Sequence, residues 1–268
     1  MDSLAQFRRE AQAFEAVVRR AAGASAAPVP TCPAWSVADL TLHLGAVHRF
    51  VTGVVREGAG APPAGLSLSL GLPFLRLPAG HAGWPEPDRA PNLGPVPENM
   101  ADWFAAGARD LEEAFREAGP AKSVWSWAPD GSVAFWTRTQ AIEAAVHRWD
   151  AENAMGTARP VDEELAADAV AQMFEVTAPA WRAWAPAQAG AGERFRFRRT
   201  DGTGDWTARF DGDAIHLTEG ADPGADVELA GTASDLMLFL WGRIPADRLD
   251  VTGDRGVLDR YFALVPPR

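Results

Sequence analysis

Residues 141–150 read AIEAAVHRWD, and this stretch sets both the fold and the chemistry expected of the chain. At about 100° per residue, Ile142, Ala145, Val146 and Trp149 share an apolar face, while Trp136, Glu143, His147 and Asp150 form a stripe beside it. The period is helical and predicts a helix over about 136–155. Glu143 and His147, at i and i+4, point the same way. A carboxylate and an imidazole aimed at one point can hold a divalent metal if a third ligand arrives from another element. The plain alternative is a buried polar pair, since E-x-x-x-H recurs by chance.

The third ligand comes from a helix expected at about 36–56. Ser36 opens it, and Asp39 stands at the capping-box position. His43 lies between Leu40 and Val47 on its inward face. Packing the two helices in a bundle brings His43 against Glu143 and His147, which is how bundle interiors build metal sites. Two histidines and one carboxylate leave a coordination position open, as catalytic zinc requires, and the set also suits Fe(II); Ni(II) is a third candidate. Trp136 and Trp149 flank the site and can wall it from water, and Asp150 can orient a ligand from behind. His48 lies about 140° round the helix from His43 and is expected at the rim. His81 and His216 have no evident role. Cys32, just before a helix start, is expected to be a small buried residue.

Other helices are expected over 3–22, 98–118 and 160–184, the last one kinked or cut short by Pro179. Residues 58–97 form a long Gly/Pro-rich connection carrying LSLSLGLPFLRLP, whose Leu70, Leu72, Phe74, Leu75 and Leu77 call for a surface to pack on. Composition changes near Pro186. The alternating ERFRFRRT and WTARFDG, with turn-forming DG pairs, predict strands near 193–200, 205–211, 213–218, 225–230 and 249–251. GTASDLMLFLWGR is a helix capped by Thr232 and Asp235 and stopped by Gly242, and a last helix spans 254–264. The expected architecture is α+β in two domains, a helical bundle over 1–186 and a small α+β domain over 187–268 with a mainly antiparallel sheet.

The totals narrow the partners. A chain of 268 residues, 47% apolar and 23% charged, has the composition of a globular protein. A net charge of −11 opposes nucleic acids and anionic membranes, which call for basic surfaces, and leaves small molecules as the expected partners. One cysteine excludes an internal disulfide or a multi-cysteine metal cage. With no signal peptide and no run of about 18 apolar residues, the cytoplasm is the expected compartment; the chain is a monomer or homodimer.

Taken together, CPAWSVADLTLHLGAVHRF, IEAAVHRWDAENAMG, GTASDLMLFLWGR and LDVTGDRGVLDRY resemble the mycothiol-dependent maleylpyruvate isomerase family, a branch of the DinB superfamily of thiol-dependent metalloproteins. The resemblance covers almost the whole chain in order. It implies a DinB-like four-helix bundle, a small C-terminal α+β domain, zinc on His43, Glu143 and His147, and mycothiol as co-substrate. It also implies a functional arginine at the Gly-Arg that ends the last domain's helix, Arg243 here. A second family arginine has no secure match; Arg76 and Arg89 are the candidates. The expected activity is cis–trans isomerisation of an unsaturated acid or transfer of the thiol to an electrophile. The rivals are a metal-dependent hydrolase and a non-catalytic binding protein on the same scaffold.

Overall fold

Among the residues that the computed structural model describes, 1–58, 60–62, 77–220 and 223–267, the first half of the chain forms α1 (Ser3–Ala21), α2 (Val37–Glu57), α3 (Met100–Ala118) and α4 (Val133–Ala154). Three of the four, α1, α2 and α4, start where a side chain takes up free backbone donors. Asp2 accepts from the amides of Leu4 and Ala5. Ser36 and Asp39 form the reciprocal capping box expected of them. Ser132 accepts from Phe135 N at 3.1 Å, so α4 begins three residues earlier than its apolar period indicated.

The four helices pack as a bundle, α1 on α4 and α3, α2 on α3 and α4. Small residues set the closeness of approach. A Cβ on Gly45 of α2 would sit 2.2 Å from the Trp103 ring of α3, so only glycine fits there. Arg49 then lies over Trp103 at 3.9 Å and donates to Trp103 O at 2.7 Å. The α4 helix is enclosed along most of its length, from Gln140 through Glu152 apart from Glu143. Its one buried cation is paired: Arg148 donates to Glu10 and Glu152, both at 2.8 Å.

The α2–α3 connection is tied down at its described end. Asn92 N donates to Asp39 Oδ2 at 2.8 Å, so the carboxylate that caps α2 also holds the returning chain. Trp84 is buried, edge-on to Trp103, with its indole N–H on Asn99. Of the apolar run in this connection, Leu70, Leu72, Phe74 and Leu75 lie outside the described residues, as does Arg76.

The second half holds a sheet in the order β3-β2-β1-β4-β5, from β1 (Gly190–Arg199), β2 (Asp205–Gly212), β3 (Ala214–Glu219), β4 (Val227–Gly231) and β5 (Asp250–Gly253). Pairing is antiparallel for β1–β2, β2–β3 and β4–β5, and parallel for β1–β4. The alternation of ERFRFRR places Phe195 and Phe197 in the core with Phe210, Phe239 and Tyr261. Arg196, on the other face, bridges Asp205 and Glu228. Thr232 caps α7 (Ala233–Leu240), accepting from Asp235 N, and Gly242, at φ +71°, ends it. The expected last helix is two short ones, α8 (Arg255–Asp259) and α9 (Tyr261–Leu264).

Pro179 neither ends nor breaks the helical path. The α5 helix (Glu163–Gln172) runs into a π turn at Met173–Thr177 and on into α6 (Ala178–Trp184), with Pro179 in the first turn of α6. Ala178 N donates to Met173 O, and the widened turn relieves the clash that proline makes with a regular preceding turn.

Contacts divide the chain into Met1–Arg159 and Pro160–Arg268, whereas composition changes only at Pro186. The difference comes from α5, which is helical like the bundle but packs on α7. Val161 N donates to Ser234 Oγ at 2.9 Å, and Glu163 pairs with Arg199. Among the described residues no helix is long and apolar enough to cross a membrane.

Candidate metal centre

His43, from the second turn of α2, and Glu143 and His147, one turn apart on α4, converge in the bundle. Each offers one ligand atom, and these atoms lie within 4.8 Å of one another. His43 Nε2 is 3.5 Å from Glu143 Oε1, and the two imidazoles are 5.3 Å apart, nearly perpendicular. Two ligands at tetrahedral angles on zinc, with bonds of 2.0–2.1 Å, stand about 3.3 Å apart. The donor set therefore fits a small divalent cation both in spacing and in chemistry.

Each ligand on α4 is held from behind. His147 Nδ1 faces Asp150 Oδ2 at 3.0 Å, which leaves Nε2 as the ligand atom. Asp150 is fully buried, and its other oxygen accepts from Thr31 Oγ1 at 2.6 Å. Gln140 Nε2 donates to Glu143 Oε2 at 3.1 Å, which leaves Oε1 turned to His43. Burial pushes the Glu143 carboxyl upward, but the His43 imidazole, with smaller contributions from His147 and His48, outweighs it and holds the group below its usual value. The ligands are not sealed away: side-chain exposures are 21% for His43, 28% for Glu143 and 10% for His147, so a small molecule can reach them.

The three expected ligands are thus brought together, and Asp150 stands directly behind one of them. Trp136 is buried against Phe50, Trp125 and Phe135, with its indole N–H on Trp125 O at 2.7 Å, and Trp149 is buried on the same helix. The ring found against a ligand is another, Trp35, 4.7 Å from His43. Sequence reading passed over Trp35, Thr31 and Gln140. The spacing of Gln140, three before Glu143, is the one signal that marks any of them.

His48 departs furthest from expectation. It is fully buried, wedged between Phe7 and Phe104, with neither ring nitrogen hydrogen-bonded among the described residues. The rim placement fails because α2 is buried on nearly every side, α3 through Phe104 and α1 through Phe7 covering the face that a two-helix picture leaves open. Cys32 is half-buried, its Sγ 4.0 Å from Asp150 Oδ2. His81 and His216 are exposed. Arg243 follows Gly242, is partly buried, and donates from Nη1 to Trp241 O at 2.7 Å.

Family models decide the kinship. The mycothiol maleylpyruvate isomerase N-terminal domain matches residues 7–152, and the MDMPI C-terminal domain matches residues 164–260. The chain belongs to the mycothiol-dependent maleylpyruvate isomerase family. Both domain models fall inside the units defined by contacts. Crystal structures of the mycothiol-dependent maleylpyruvate isomerase and of a mutant of it each superpose with a TM-score of 0.58 at 13% identity, over 94% of this chain and 92% of that one. Those neighbours share the two-part fold, a helical half followed by a mixed five-stranded sheet. No curated protein sequence matches the chain.

Proposed function

We propose that the protein is a divalent-metal enzyme, with zinc as the metal, that uses mycothiol to isomerise a small unsaturated acid from cis to trans. The observation that carries this is the convergence of His43, Glu143 and His147 on one point while their side chains stay partly exposed. Family membership supports the thiol, since the structural neighbours are mycothiol-dependent enzymes.

His43, Glu143 and His147 would hold the cation and leave at least one position open. A cation there would lower the pKa of an incoming thiol and so favour its reactive thiolate form. Asp150 holds the proton at His147 Nδ1 and keeps Nε2 directed inward. Gln140 occupies Glu143 Oε2 and leaves a single oxygen for the cation, which preserves the open position. Trp136 and Trp149 are assigned the exclusion of water, and Arg243 a bidentate grip on a carboxylate of the acid or of the thiol. In isomerisation a sulfur–carbon bond forms at the conjugated double bond, the former double bond turns as a single bond, and the sulfur–carbon bond then breaks. Transfer of the thiol to an electrophile shares the first of these steps and is the second activity to assay.

The test is metal quantification on protein purified without chelator, beside a thiol-dependent isomerisation assay. One equivalent of zinc, activity that needs both metal and thiol, and loss of both metal and activity in His43→Ala are expected. Absence of stoichiometric metal overturns the proposal, and activity in thiol-free buffer replaces it with hydrolysis by an activated water. For Arg243→Ala the expected result is a raised KM; unchanged kinetics would return Arg243 to its contact with the end of α7.

A further inference from the structure

One short turn touches His43 directly and reaches His147 through Asp150. Residues 31–35, TCPAW, precede the α2 cap and are closed on themselves by backbone hydrogen bonds: Val29 N to Trp35 O at 2.9 Å, Cys32 N to Val29 O at 3.0 Å, and Trp35 N to Cys32 O at 2.8 Å. Pro33 fixes one backbone dihedral inside it. At one end the Thr31 hydroxyl donates to Asp150 Oδ1, whose partner oxygen faces His147 Nδ1. At the other end the Trp35 ring lies 4.7 Å from the His43 ring, inclined by 41°.

We infer that this turn is the support of the metal centre, with Thr31 and Trp35 as positioning residues for the two histidines; the inference rests on the metal-binding function proposed above. His43 and His147 belong to different helices, and a shift between α2 and α4 would spread the ligands. One hydrogen-bonded turn that meets the His43 ring and, through Asp150, bears on His147 ties the two rings together in addition to helix packing. Thr31 does so through charge and geometry. Its hydroxyl immobilises the buried Asp150 carboxylate, which in turn fixes the tautomer of His147 and strengthens Nε2 as a donor. Trp35 does so by contact, covering one side of a ring whose side chain is 21% exposed and would otherwise turn about χ2.

The experiment measures Co(II) affinity by chelator competition on the full-length chain, together with the thermal midpoint of the metal-free protein, for Thr31→Val, Thr31→Ser, Trp35→Leu and Trp35→Phe. Supporting residues behind metal ligands change affinity by 10–100-fold, so Thr31→Val and Trp35→Leu are each expected to weaken Co(II) about 10-fold, with Thr31→Ser and Trp35→Phe within about twofold of the parent. Metal-free midpoints should match the parent throughout. Undiminished affinity in Thr31→Val and Trp35→Leu overturns the inference, as does a loss that merely follows a falling midpoint. A parent that binds no Co(II) removes the metal site itself, whereas a binding parent with indifferent variants removes only the role of the turn. Should Thr31→Val fail to fold, the tautomer of His147 in the ¹⁵N-histidine spectrum of the parent decides: protonation at Nδ1 supports the relay, and protonation at Nε2 overturns it.

Discussion

His43 and His48 stand on the same helix, five residues apart, and the bundle treats them in opposite ways. His43 is partly open and faces a carboxylate and a second imidazole. His48 is shut between two phenylalanine rings with no hydrogen-bond partner among the described residues. Burial forces the His48 ring to remain neutral, its pKa pushed down to about 3, with Glu143 opposing the shift and Arg49, His43 and His147 reinforcing it. Polar atoms of the candidate site keep partners, whereas His48 fills space and carries an unrewarded desolvation penalty. Arg148 gives a third case on α4, a buried charge made tolerable by two carboxylates.

Removing a charge that others depend on should show the largest effect. Arg148→Ala strands Glu10 in the bundle and leaves Glu152 to Arg159 alone, and it is expected to lower unfolding free energy by about 3 kcal/mol, read by urea unfolding. A loss comparable to that of a surface substitution would show that the network is solvated, and the contrast with His48 would fall.

The next effect is confined to acid. His48 takes up a proton in the unfolded chain below about pH 6.5 but not in the folded one until about pH 3. The unfolded state therefore binds more protons in that window, and stability falls as pH falls, by about 2 kcal/mol between neutrality and pH 5. His48→Leu should flatten that limb of the stability profile, measured metal-free in chelator so that ligand protonation by competing metal does not enter. An unaltered acid slope would place the sensitivity elsewhere.

The smallest stability effect is expected at the site itself. Glu143 and His43 are partly exposed, and such pairs contribute about 0.2–1 kcal/mol. Glu143→Gln should thus leave the metal-free protein within about 1 kcal/mol of the parent while abolishing stoichiometric metal binding. A large loss of metal-free stability would make the cluster a structural device.

Local signals were the legible ones. Ser36 with Asp39, Thr232 with Asp235 and the phenylalanine alternation of β1 are settled within a few residues, and each forms as its sequence indicates. The convergence of the three candidate residues was legible as well, because helical period and bundle packing together leave few ways for His43 to meet Glu143 and His147. What escaped depends on elements far apart in the chain. The parallel β1–β4 pairing bypasses two intervening strands, and α5 keeps the composition of the bundle while packing on α7. The burial of His48 follows from α1 and α3, which a reading of α2 and α4 alone omits. Thr31 lies 119 residues from Asp150, a separation at which spacing carries no information.

The widened turn before Pro179 decides what a deletion there would do. A π turn holds one residue more than an ordinary turn for nearly the same rotation, so deleting any one of residues 173–177 would restore ordinary winding with α6 presenting the same face. Trp181, edge-on to Trp241 at 6.4 Å, would keep its side of the helix. What a single-codon deletion would remove is the slack in the turn before Pro179, and the proline ring would then meet the preceding carbonyl.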